Sequence, residues 1–288
     1  AKVAVINPAT EAVFAHAPAA DAALLDKAVE AAQDAFPAWR DTPVAERRRV
    51  LLLLADAIET SAIDLGVLFT REQGRPTPLA TREIKAGAAW LRAVAGQEVP
   101  VDTVEDSESR RVEVHHVPLG VVAAIVPWNF PFLLTIWKIA PALLTGNTVV
   151  LKPSPYTPLC ALKLGEMARN ILPPGVFNVL SGDDALGPLM SSHAGFAKIS
   201  FTGSTATGKR VMAAAANDLK RITLELGGND AAIVLADADP DEVAEAMFAG
   251  AFFNTAQVCI ATKRLYIHED IYEAVRDRLH ALANKAVV

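Results

Sequence analysis

Apolar residues in the first hundred positions recur at helical spacing, and from about residue 100 that pattern gives way to short apolar runs. A short extended piece at 3–6 meets Asn7-Pro8, a turn signal. Asp21 is placed to cap a helix with apolar positions Leu24, Leu25, Ala28, Ala32 and Phe36. Pro43 opens a second helix through Leu51-Leu52-Leu53-Leu54 to Ile58. A third helix runs to Gly74 and a fourth spans about 78–96. This third of the chain carries no evident chemistry and reads as a scaffold.

Residues 102–109 are polar and acidic and predict a turn region. Residues 110–117 alternate at period two, as one half-exposed arm of a hairpin does. His115 and His116 would then face opposite sides, which disfavours a shared metal. Strands follow at 120–126, 148–151, 176–180, 198–201, 221–226 and 231–235. Helices alternate with them at 133–144, 157–170, 186–193, 205–216 and 240–253. The strands are nearly continuous apolar runs, as in a parallel sheet covered on both faces. Repeated βα units predict an α/β fold with a doubly wound parallel sheet and right-handed crossovers.

Composition narrows the function classes. A chain of 288 residues has length for about two domains, and 52% apolar content supplies a sizeable core. A formal charge of −6 argues against a nucleic-acid or anionic-membrane surface. With only Cys160 and Cys259, neither a disulfide framework nor a cysteine zinc site is expected. That usage fits a reducing, cytoplasmic setting. No signal-peptide pattern opens the chain, and the apolar run at 120–125 is far shorter than the ~20 residues of a membrane span. The chain begins without Met and stops inside a helical pattern at Val288, as a fragment would.

In open α/β sheets ligands bind beyond the carboxyl ends of strands, and four such ends carry unusual residues. Pro127-Trp128-Asn129-Phe130-Pro131 holds an amide between aromatics and prolines. Asn129 is either a turn residue or an oxyanion donor. Lys152-Pro153-Ser154 ends a buried strand with a charge that needs a partner, for which ligand hydroxyls or phosphates are candidates. Gly203-Ser204 opens a helix and could cradle a phosphate. The run Gly203 to Lys209 also fits G-x-x-x-x-G-K, but Arg210 stands where a P-loop needs Ser or Thr. Glu225, before Gly227-Gly228, is either an ion-pair partner or a desolvated general base with a raised pKa. Cys259 ends the run Gly250-Ala-Phe-Phe-Asn-Thr-Ala-Gln-Val-Cys259, just before a β-like segment at 264–268. It is either small apolar core or a nucleophile needing a base or a positive field.

Together, Pro127-Trp-Asn-Phe-Pro131, Lys152-Pro-Ser154, Phe201-Thr-Gly-Ser204, Leu224-Glu-Leu-Gly-Gly228 and Gln257-Val-Cys259 resemble the aldehyde dehydrogenase superfamily in order and spacing, including the 34 residues between Glu225 and Cys259. The resemblance runs over essentially the whole chain. It implies an NAD(P)-dependent enzyme that oxidises an aldehyde to a carboxylic acid through a thiohemiacetal and a thioester on Cys259. Asn129 and the Cys259 amide would form the oxyanion hole, and Glu225 would activate water and help deprotonate the thiol. Ile125, Val126, Pro127, Trp128, Lys152, Ser154, Gly203, Ser204 and Leu226 fall on cofactor-binding positions. Phe130, Trp137 and Phe253 fall on the substrate tunnel or are ordinary core.

The resemblance further implies a dinucleotide-binding domain at 1–100 and 119–227 and an oligomerisation hairpin at 101–118. Residues 228–288 would start a second α/β catalytic domain, in a homodimer or homotetramer with no metal. Many NAD-preferring relatives have a glutamate where this chain has Pro155, which leaves NAD and NADP both open. Family members are nearly twice this length, so the resemblance implies that the piece alone is inactive. The alternatives are a P-loop nucleotide-binding protein using Gly203–Lys209, with Asp237 or Asp239 holding metal, and a non-enzymatic scaffold.

Overall fold

The computed structural model describes residues 1–286 and opens with an antiparallel ribbon of β1 (Lys2–Ile6) and β2 (Val13–Pro18). Asn7 makes the turn between them, its side-chain oxygen accepting from the Ala9 amide at 2.9 Å. The second strand has no apolar alternation long enough to announce it. Helix α1 (Ala22–Asp41) starts at Asp21, whose carboxylate accepts from the Leu24 amide at 2.9 Å. Its buried stripe is Leu25, Ala28, Val29, Ala32 and Trp39. Leu24, expected on that stripe, is on the outer side and 46% exposed.

Helices α2 (Val44–Thr60), α3 (Ala62–Gln73) and α4 (Thr77–Ala95) pack on one another through Leu51, Leu54, Ile58, Phe69, Ile84 and Leu91. Next come β3 (Val101–Asp106) and β4 (Arg111–His115), which among the described residues pair only with each other. The acidic stretch expected as a turn is therefore mostly strand, and the turn is at 107–110. Cross-strand and neighbouring charges explain this: Arg110 pairs with Glu105, Arg111 with Glu113 and Asp106. His115 and His116 meet different carboxylates, Glu113 and Asp102.

The sheet follows as β5 (Val121–Ile125), α5 (Pro131–Leu144), β6 (Thr148–Lys152), α6 (Leu159–Ala168) and β7 (Phe177–Val179), then α7 (Leu186–Ser192), β8 (Lys198–Thr202), α8 (Thr205–Ala216) and β9 (Arg221–Glu225). All five strands are parallel, in the order β7-β6-β5-β8-β9. The order reverses at β5, the central strand. Val122 and Ala124 of β5 and Val149 and Leu151 of β6 join the core of α2–α6. Gly87 of α4 permits close approach of α5, since a Cβ there would sit 2.9 Å from the Phe132 ring. On β6, Thr148 donates to the Ala32 carbonyl of α1 at 2.9 Å, so helices cover the sheet on both sides.

These elements form one compact unit, Ala1–Glu225, and a second comprises Leu226–Val288. The second unit contains β10 (Asp230–Val234), α9 (Pro240–Phe252), a tight 3-10 turn at Phe253–Ala256, β11 (Thr262–Ile267) and α10 (Glu269–Lys285). β10 and β11 are parallel, with Ala231 opposite Arg264. The Arg264 guanidinium donates twice to the Asn229 carbonyl, at 2.7 and 3.0 Å, and pins the entry to β10.

Candidate active site

A cleft of about 700 Å³ opens where β5, β6 and β8 end. This is the place where the strand order reverses and crossover helices diverge. Eight residues singled out in the sequence line it: Ile125, Val126, Pro127 and Trp128 after β5, Lys152 and Ser154 after β6, Gly203 and Ser204 after β8. Leu226 belongs to the second unit instead. Thr207 and Arg210, from the Gly203-to-Arg210 stretch weighed above as a P-loop, line the cleft too, as do Tyr156 and Asp184, which escaped the sequence reading. The last two sit in turns with no motif of their own.

Lys152 is 5% exposed, and its ammonium makes one long bond, 3.5 Å, to the Pro153 carbonyl. Burial lowers its pKa, opposed by the charges of Asp184 and Asp183. Such a group is stabilised by any hydroxyl or anion that reaches it. At the β8 end, Gly203 has no room for a Cβ, which would meet the Phe201 ring at 2.5 Å. Ser204 caps α8, accepting from the Thr207 amide at 3.2 Å. The buried hydroxyl of Thr202, between them and the sheet, has no hydrogen-bond partner. An ammonium, a glycine turn at a helix N-terminus and an orphan hydroxyl in one cleft fit a polar, phosphate-bearing cofactor.

The P-loop reading is overturned here. α8 begins at Thr205, and the Gly208 amide already donates to the Ser204 carbonyl at 2.9 Å. Gly208 and Lys209 are thus inside a helix instead of wrapping a phosphate. Asp239 caps α9, its carboxylate accepting from the Asp241 and Glu242 amides.

Asn129 stands between β5 and α5. Its side-chain oxygen accepts from the Phe130 amide at 3.0 Å, which orients the carboxamide. Its backbone carbonyl accepts from Arg75 at 2.7 Å and Gln73 at 3.4 Å. Two turns into α5, Lys138 is 9% exposed and bonds the Ser200 hydroxyl at 3.1 Å. Burial lowers its pKa to about 8, with the Glu225 charge opposing and Lys198 adding to the fall. Glu225 itself ends β9 and is exposed. β9 is an edge strand of this sheet. Trp137 is 44% exposed and stacks on Trp90 with ring centroids 5.0 Å apart. Phe130 lies against the Arg75 guanidinium, 4.2 Å from the ring centroid.

In the second unit, Cys259 is a free, exposed thiol in the turn before β11. Asn254, Thr255 and Ala256 just before it all have left-handed backbones, φ 52°, 53° and 62°. That conformation is unfavourable for residues with a Cβ, most of all for a β-branched threonine. Gly228 packs on the cysteine backbone, and a Cβ there would come 3.0 Å from the Cys259 carbonyl. The Leu-Gly-Gly end of one motif and the cysteine backbone of another therefore meet in space. Phe253 is 54% exposed in the same segment.

A profile of the aldehyde dehydrogenase family matches residues 1–288. A putative aldehyde dehydrogenase of Gibberella fujikuroi, FUS7, is 45% identical over 93% of this chain and 58% of its own length. Phenylacetaldehyde dehydrogenase of Pseudomonas fluorescens is 44% identical over 99% of this chain and 59% of its own length. Among solved structures, an Escherichia coli NADP dependent enzyme superposes with a TM-score of 0.95 at 38% identity, over 99% of this chain and 60% of that one. The NAD+ complex of a Bacillus cereus aldehyde dehydrogenase gives 0.96 at 37%, over 100% and 60%. The chain spans about three fifths of the length of these relatives. By its motifs, its sheet and these matches, the chain belongs to the aldehyde dehydrogenase family.

Proposed function

We propose that the protein containing this chain oxidises an aldehyde to a carboxylic acid with NAD(P)+, with Cys259 as nucleophile. The observation that carries the reading is the cleft at the β5, β6 and β8 ends, with a poorly paired Lys152 and a Gly203-Ser204 turn in one wall. In it Lys152 and Ser154 would hold the adenosine ribose and Gly203 with Ser204 the pyrophosphate. The first unit is the dinucleotide-binding domain carrying the hairpin as an oligomerisation arm, and the second begins the catalytic domain.

Cys259 gives its proton to Glu225 or to water, and the sulfur attacks the carbonyl carbon. The carbonyl π electrons move to oxygen, where the Asn129 side-chain N–H and the Cys259 backbone N–H stabilise the charge. Hydride loss from the thiohemiacetal carbon would leave a thioester on Cys259, the acceptor being the nicotinamide that NAD(P)+ would supply when bound. Glu225, its first proton released to solvent, then takes a proton from water, hydroxide adds to the thioester, and the C–S bond breaks to free the carboxylic acid and return the thiolate. Phe130, Trp137 and Phe253 line the approach of an apolar aldehyde. Pro155 places no carboxylate against a 2′-phosphate, and Arg210 lines the same cleft, which leaves the choice between NAD+ and NADP+ open. Relatives described as NADP dependent and as an NAD+ complex share the fold.

The test is Cys259→Ala in the full-length protein, assayed with NAD+ and NADP+ across aldehydes of increasing length. Dehydrogenase activity is expected to vanish while cofactor binding persists. Retention of turnover would sink the nucleophile, and loss of cofactor binding by the wild type would sink the whole reading.

A further inference from the structure

The connection from β5 to α5 is held at both ends by one buried ion pair. Arg75 and Glu83 face each other with side chains 7% and 3% exposed. Arg75 donates to the Asn129 carbonyl at 2.7 Å, and its guanidinium lies between the Phe130 and Phe69 rings, with centroids at 4.2 and 5.3 Å. Glu83 accepts from the Leu133 amide at 3.0 Å, in the first turn of α5. Gln73 completes the arrangement: its side-chain oxygen accepts from the Arg75 amide at 3.0 Å while its nitrogen reaches the Asn129 carbonyl. The five residues 129–133 are thus fixed at their first carbonyl and at the start of the helix.

Packing does not require charge at this place. Phe132, Ile136, Ile84 and Leu91 already close α4 on α5, with Gly87 admitting the Phe132 ring. Desolvating two charges is unfavourable, and an apolar pair of equal volume is often as stable. What an apolar pair would not do is fix a backbone carbonyl and a helix terminus in one geometry. Asn129 presents its amide from that backbone, with its side-chain oxygen already held by the Phe130 amide. We propose that Arg75 and Glu83 are a positioning pair that sets where the Asn129 amide donates to the oxyanion. They act through the 129–133 backbone without touching substrate. This rests on the aldehyde-oxidising reading above, in which Asn129 is the donor.

The experiment is a coupling cycle in the full-length enzyme, with Arg75→Met/Glu83→Met as the charge-free variant. It is expected to keep KM within about threefold and melt near the wild-type temperature, while kcat falls roughly 10- to 100-fold, as for a displaced catalytic group. In an Asn129→Ala background, itself down about 10²–10³-fold, the same two changes are expected to cost little more. Arg75→Lys, which keeps the charge but not the fork, is expected to recover part of kcat, and this milder variant decides the matter should the double variant not fold. Wild-type kcat in the pair variants with Asn129→Ala impaired overturns the positioning role alone. Full additivity of the two losses also overturns it, because the pair would then act on the fold at large. Undiminished kcat in Asn129→Ala overturns both this role and the oxyanion reading.

Discussion

Lys138 is the one charged residue in an otherwise apolar helix, which was the available signal that it does something other than solvate a surface. Its pKa of about 8 lies below the ordinary lysine value of 10.5. The folded protein therefore binds this proton less tightly than the unfolded chain between those values, and stability rises with pH from about 8 toward 10.5. Lys138→Met is expected to raise stability at pH 7 by up to about 3 kcal/mol and to flatten that rise. Paired thermal melts from pH 7 to 10 check it, and a variant less stable than wild type at pH 7 would refute it. Other site residues were plain in the sequence for a shared reason. Asn129, Lys152 and Gly203 each break the apolar run of a strand at its end, where the fold exposes ligand-facing positions. Arg75 and Glu83 gave no such signal. Their partners lie 54 and 50 residues away, and nothing local records a contact made only on folding.

Among elements, α6 shows how far a helix terminus depends on another part of the chain. It has no side-chain cap of its own. Glu72 at the end of α3 supplies one, accepting from the Leu159 amide at 2.6 Å and the Cys160 amide at 3.0 Å. Burial raises the Glu72 pKa to about 7, opposed by those hydrogen bonds. A carboxyl that holds its proton more tightly when folded adds stability that is complete below about pH 4.5 and lost as pH rises through about 7. Glu72→Gln is expected to remove that fall, seen as a flatter melting temperature between pH 5 and 7.5. An unchanged pH slope would count against it. Periodicity found nearly every helix and strand of the sheet because burial on two faces writes itself into long apolar runs. It missed β2, whose apolar alternation is too short, and took β3 for a turn, because that exposed ribbon is held by charge pairs between and along its strands.

For the whole molecule, alternating elements foretold a doubly wound parallel sheet, while the order β7-β6-β5-β8-β9 is set by crossovers that the residue pattern does not encode. The β3–β4 ribbon leaves Val101, Val104 and Val114 between 45% and 66% exposed, with both of its outer edges unpaired among the described residues. As the proposed oligomerisation arm it should tolerate no charge there. Val104→Lys is expected to lower the oligomeric state of the full-length protein in light scattering without changing its helical content. An unaltered mass would remove the ribbon from the assembly role.

The chain's two thiols sit in opposite conditions. Cys160 is 1% exposed, and burial with Glu72 beside it pushes its pKa well above the ordinary range, whereas Cys259 lies at the surface. A soluble maleimide should therefore mark Cys259 at once and reach Cys160 only when the contact between α3 and α6 parts. Mass spectrometry of the second adduct over time would then serve as a clock for that opening, and Glu72→Gln should change its rate. Equal labelling of both thiols from the start would stop the clock. The stray cysteine, with no part in the proposed chemistry, thus becomes a built-in reporter of how often the interior of the first unit comes apart.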